Sequence, residues 1–181
     1  MPTWRWWITD RTDQVNGGNI NGLVKAELTF DDAYWGGSCL SLSGQTDFSR
    51  VKLFKTMLEV QPDYEFSVTY KTLKGTESHA KLFVALKGHT TDYKQVDLPA
   101  TETAGKWRTF TVKASELGLV AGDKVAMMGL VVENSPADYQ LHVGEMALRN
   151  KAQSFNTVTP TIKQVQVLRG RYNACDFKLQ Y

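Results

Sequence analysis

Apolar and polar residues alternate with a period of two along most of this chain, and that rhythm belongs to strands with one face buried. In 23–30, Val24, Ala26, Leu28 and Phe30 share one face, while Lys25, Glu27 and Thr29 take the other. The stretch 64–72 sets Tyr64, Phe66, Val68 and Tyr70 against Glu65, Ser67, Thr69 and Lys71. Leu82, Val84 and Leu86 mark another strand, as do 107–112 and Tyr139, Leu141 and Val143. The run 125–132 is apolar on both faces, and its Gly129 and β-branched end favour a central strand covered on both sides. Turn signals separate these runs, among them Asn16-Gly17-Gly18-Asn19, Ser43-Gly44, Gln61-Pro62-Asp63, Lys74-Gly75 and Ala121-Gly122-Asp123. A single helical turn at Ser115-Glu116-Leu117 is the one helical candidate. Strands at this spacing without a long amphipathic helix predict an all-β fold, an antiparallel jelly-roll β-sandwich over about 3–150.

The core expected from the alternation comprises Val24, Leu28, Phe30, Leu40, Leu42, Phe66, Val68, Val84, Phe110, Val112, Leu130 and Val143. Residues 151–160 are polar, lack a period and close on Pro160, so they read as a linker. Beyond them, Ile162, Val165 and Val167 begin a strand, and Phe177, Leu179 and Tyr181 alternate in another. Two strands bury no core alone. Residues 161–181 therefore read as the first hairpin of a following fibronectin-like β domain, or as strands added to the sandwich edge.

The 21 basic and 19 acidic residues are interspersed, and none of the basic ones form a run able to track a phosphate backbone, so nucleic acid is not an expected partner. No apolar run approaches the roughly 20 residues of a membrane helix, and a membrane is not expected either. Met1 is followed directly by Pro-Thr-Trp-Arg-Trp-Trp, without the apolar core of a signal peptide. Met1 reads as a start codon before an internal segment, which leaves localisation illegible. Cys39 and Cys175 read as free, partly buried thiols; a disulfide between them is the other option. His79, His89 and His142 lie far apart and read as surface or rim residues. No Cys or His spacing suggests zinc, no motif supports calcium, and no cofactor is expected.

Two clusters invite a binding role. Three of the five tryptophans, Trp4, Trp6 and Trp7, fall within four residues. Sugars offer flat faces of C–H groups on which indoles stack, so these residues could form a sugar platform. The plainer alternative is that these large indoles fill the sandwich core or an interface to a preceding domain. The second cluster, Phe30-Asp31-Asp32-Ala33-Tyr34-Trp35-Gly36-Gly37, ends a strand in an acidic, aromatic loop. Asp31 and Asp32 offer oxygen atoms to a ligand, and Tyr34 and Trp35 offer stacking faces. The blander alternative is a turn capped by its aspartates, with its aromatics covering the sandwich edge. No catalytic residue is expected, because no carboxyl pair, serine elbow or phosphate loop stands in a recognisable motif.

Pro2-Thr3-Trp4-Arg5-Trp6-Trp7-Ile8 and Leu28-Thr29-Phe30-Asp31-Asp32-Ala33-Tyr34-Trp35-Gly36-Gly37-Ser38-Cys39-Leu40 resemble the region after the catalytic barrel in glycoside hydrolase family 85. Members of that family are endo-β-N-acetylglucosaminidases, which cut between the two core N-acetylglucosamines of N-linked glycans. Trp107-Arg108-Thr109-Phe110, Gly129-Leu130 and Val143-Gly144-Glu145 look like galactose-binding-like jelly rolls in general. The resemblance implies a non-catalytic, carbohydrate-binding-like module. Its partners would be the enzyme's own (β/α)8 barrel and an N-linked glycan or glycoprotein. The family's catalytic Asn and Glu lie in the barrel, and nothing in this chain matches their motif. Cys39 and Trp35 stand at variable positions, so the resemblance gives them no role. A purely structural interdomain sandwich and a free-standing lectin are the rival expectations.

Overall fold

The computed structural model describes residues 4–7, 25–34, 38–61, 63–150, 164–169 and 175–180. Twelve strands run in chain order: β1 Trp4–Trp7, β2 Lys25–Thr29, β3 Cys39–Ser43, β4 Thr46–Glu59, β5 Tyr64–Thr72 and β6 Ala80–Leu86, then β7 His89–Asp97, β8 Arg108–Lys113, β9 Lys124–Ser135, β10 Gln140–Asn150, β11 Gln164–Arg169 and β12 Cys175–Gln180. They form a six-stranded sheet in the order β2-β3-β10-β5-β8, with β1 also on β10, and a four-stranded sheet β4-β9-β6-β7. Every pairing is antiparallel. β11 and β12 make a two-stranded antiparallel hairpin. No helix occurs among the described residues. The expected single turn is present at 114–118, where the Leu117 amide donates to the Lys113 carbonyl at 3.2 Å.

The alternation becomes the core between the two sheets. From the six-stranded sheet come Leu40, Leu42, Phe66, Val68, Tyr70, Leu141, Val143, Met146 and Leu148; the four-stranded sheet contributes Val51, Leu82, Val84, Met128, Leu130 and Val132. β9 is central, flanked by β4 and β6, as its apolar run implies. Of the expected core, Leu28 and Phe110 are only partly buried, because β2 and β8 are the two edges of the larger sheet. Phe30 contradicts the expectation outright at 74% exposure. β2 stops at Thr29, whose Oγ1 accepts from the Asp31 amide at 3.4 Å. Past that bend the pleat no longer dictates which way a side chain points. Val24 lies outside the described residues.

Two buried tyrosines tie the loops at one end of the sandwich. The Tyr70 hydroxyl donates to the Pro99 carbonyl and the Tyr139 hydroxyl to the Ser78 carbonyl. Burial pushes the Tyr70 phenol up to about 12, with Arg108 opposing, and burial likewise drives Tyr139 upward, helped by Tyr70. A phenol raised above its unfolded value near 10 contributes stability that is complete below about pH 10 and is lost as pH climbs through the folded value. Each tyrosine is expected to weaken the fold by about 1.4 kcal/mol per pH unit in that window. Urea titrations at about pH 8 and about pH 11 check this. Tyr70→Phe and Tyr139→Phe should flatten the decline, and an unchanged decline in both would contradict it.

Candidate functional site

The outward face of the six-stranded sheet is polar by parity, carrying Glu65, Ser67, Thr69 and Lys71 on β5 and His142 and Glu145 on β10. The register sets His142 opposite Lys71 and Glu145 opposite Thr69, with an irregularity between Val143 and Glu145. Thr69 and Thr109 hydroxyls hydrogen-bond across β5 and β8 at 2.7 Å. Glu65, Ser67 and Thr69 are buried rather than open to solvent.

Over this face folds the loop that leaves β2. Asp32 Oδ2 lies 2.5 Å from Lys71 Nζ and 2.7 Å from His142 Nδ1. Burial alone would raise the Asp32 carboxyl. The hydrogen bonds from Lys71 and His142, with their charges, outweigh burial and hold it below the usual carboxylate range. His142, expected at the surface or rim, is buried: it points outward from β10, but the Asp32 loop covers that position. Cys39 is free and fully buried beside them, which refines the expectation of a partly buried thiol. Burial pushes its thiol up to about 12, with the Asp32 charge adding and Lys71 opposing.

Tyr34 and Trp107 complete the surface. Their ring centroids are 5.5 Å apart and tilted by 53°, and Lys71 Nζ sits 4.8 Å from the Trp107 ring centre. Both aromatics approach the sheet at Gly144, where β10 is irregular. A Cβ there would overlap Tyr34 Cβ and meet Trp107 at 3.1 Å, so only glycine allows the rings this close. Tyr34 remains 39% exposed. A cavity of about 210 Å³ opens beside the indole, lined by Thr101, Glu102, Lys106, Trp107 and Arg108. Adjoining aromatics over a few fixed polar groups make a surface on which a flat, hydroxylated ligand can stack and be oriented.

Of the residues singled out by sequence, Asp32 and Tyr34 meet at this surface, while Trp35 lies outside the described residues. Trp4 and Trp6 pair along the backbone with Leu148 and Met146, and Trp7 with Glu145, on the same strand β10 that carries His142. Lys71, Trp107, His142 and Cys39 were not among the expected site residues. The outward parity of Lys71 on the 64–72 strand was visible, but its pairing with Asp32 depends on a sheet neighbour far along the chain.

No family model and no curated protein matches the sequence. Solved structures do. The glycoside hydrolase domain of Endo-D from Streptococcus pneumoniae has a TM-score of 0.55 at 24% identity, over 91% of this chain and 25% of that one. The CBM22-1 xylan-binding domain from Paenibacillus barcinonensis Xyn10C gives 0.51 at 20% identity, over 81% of this chain and 92% of that one. Another xylan-binding CBM 22 domain gives 0.55 at 17% identity, over 83% and 95%. This chain thus spans about a quarter of the Endo-D structure. It matches nearly the whole of each xylan-binding module. The fold is that of carbohydrate-binding β-sandwich modules, and its likeness to part of a glycoside hydrolase agrees with the resemblance seen in the sequence.

Proposed function

We propose that this chain is a non-catalytic ancillary module of an endo-β-N-acetylglucosaminidase that binds glycan on the outward face of its six-stranded sheet. What supports this reading above all is the pair Tyr34 and Trp107, held side by side over Gly144 with Lys71 against the indole. Trp107 and Tyr34 stack on the sugar, and polar groups around the cavity beside the indole, Glu102 and Lys106 among them, orient its hydroxyls. Asp32 acts from behind: its bonds to Lys71 and His142 fasten the loop that carries Tyr34. The tryptophans of β1, together with Trp35, supply contacts to the catalytic barrel or to a further part of the glycan. The Endo-D likeness supports the parent class, and the xylan-binding modules support sugar binding by this fold.

A glycan array probed with the chain tests the proposal. N-linked glycans are expected to be retained in preference to xylan and β-glucans. Retention of xylan alone would replace the N-glycan assignment with a plant-polysaccharide one, and retention of nothing would leave a structural interdomain sandwich. The chain is also expected to leave a high-mannose glycopeptide intact. Release of a truncated glycan that disappears on substituting a carboxylate of this chain would contradict the ancillary role.

A further inference from the structure

The sheet places Cys39 and His142 together. His142 pairs with Ser41 and Val143 with Leu40 across β10 and β3, so Cys39 is the diagonal neighbour of His142 on the outward face, a spacing at which side chains of adjacent strands still meet. Asp32 reaches the same point from the loop after β2. One donor atom from each of the three, a carboxylate oxygen, a sulfur and an imidazole nitrogen, lies within 4.8 Å of the others. We propose that Asp32, Cys39 and His142 form a binding site for a divalent transition cation, zinc in the first place. This inference does not rest on the glycan reading.

The donor set selects the metal. Calcium and magnesium take oxygen ligands, whereas a mixture of sulfur, nitrogen and oxygen suits zinc. Bond lengths of about 2.3 Å to sulfur and about 2.0–2.2 Å to nitrogen and oxygen put tetrahedral donors roughly 3.3–3.6 Å apart. The Asp32–His142 pair, now hydrogen-bonded at 2.7 Å, opens by under about 1 Å, while the sulfur closes in. Asp32 sits on a loop and the Cys39 side chain can turn about its Cα–Cβ bond, whereas strand pairing holds the backbones of Cys39 and His142. Three protein donors leave a fourth position for water. Lys71 Nζ, 2.5 Å from Asp32, already places a cation against this carboxylate. Zinc takes over that counter-charge, the Cys39 proton goes to solvent, and the Lys71 ammonium is released. None of this was legible in the residue spacing, because Cys39 and His142 are over a hundred positions apart and meet only through β3–β10 pairing.

Cobalt(II) is the probe, since a cobalt–thiolate bond gives a charge-transfer absorption that other ligands do not. The metal-depleted chain is expected to bind one cobalt with that absorption, and zinc should displace it. Cys39→Ser should abolish the absorption, and Cys175→Ser should leave it intact. His142→Gln should weaken zinc binding by at least about tenfold. Lys71→Met, which removes the competing ammonium, should tighten it. Absence of a thiolate absorption at saturating cobalt would overturn the proposal. So would an absorption that survives Cys39→Ser and vanishes in Cys175→Ser, or zinc binding weakened by Lys71→Met. Glycan retention by the metal-depleted chain reports separately on the sugar site.

Discussion

Gly129→Ala is expected to destabilise the fold by about 3 kcal/mol, at the upper end of what one added methyl costs in a packed interior. Gly129 lies in β9, between β4 and β6. A Cβ at this position would overlap the Val51 carbonyl oxygen and come within 2.5 Å of Phe83 Cε1. The carbonyl belongs to the neighbouring strand and cannot rotate away. Phe83 is fully buried and packs edge-on against Tyr93 at 5.1 Å, so it has little room to yield. Either β4 separates from β9 or the Phe83 ring leaves its rotamer, and both disturb a strand paired on both sides in the smaller sheet. Urea denaturation of the variant measures the loss. A neutral result would mean that β4 and β9 leave room for a methyl group at position 129.

Trp107→Ala is expected to weaken glycan binding by about 2 kcal/mol or more, roughly thirtyfold, as truncating a central aromatic anchor does elsewhere. The indole borders the cavity and has Tyr34 as its aromatic neighbour. It is not among the buried residues between the sheets. Its removal should therefore abolish most of the affinity while changing stability far less than Gly129→Ala. Calorimetric titration of glycan into the variant and the parent chain separates the two effects. Unchanged affinity in a folded Trp107→Ala would move the sugar site away from this face.

How far the sequence carried these conclusions differs between frame and site. An unbroken apolar run marked the central position of β9 and period-two alternation located β5 at 64–72, because composition and parity are local properties. It misplaced Phe30, since parity holds only while the strand lasts, and β2 ends one residue earlier. It overstated the burial of Leu28 and Phe110, because alternation does not distinguish an edge strand from a central one. At the site, Asp32 and Tyr34 stood out through local composition. Lys71 and His142 looked like ordinary strand residues, because only the register of β10 with β5 sets them side by side under Asp32, and Trp107 joins them through Lys71 and Tyr34. A buried histidine on a face expected to be polar comes from the same cause: a loop folds over a strand more than a hundred residues away.

The claim that the outward face of the six-stranded sheet is the glycan surface is tested most directly by nuclear magnetic resonance. The labelled chain is titrated with a high-mannose N-glycan and, separately, with a xylan oligosaccharide, and the perturbed signals are mapped. The Trp107 indole N–H is expected to move most, together with Tyr34, Lys71 and Gly144, while Phe48, Arg50 and Tyr93 on the opposite sheet stay still. Perturbations confined to the opposite sheet, or none with either sugar, would contradict it.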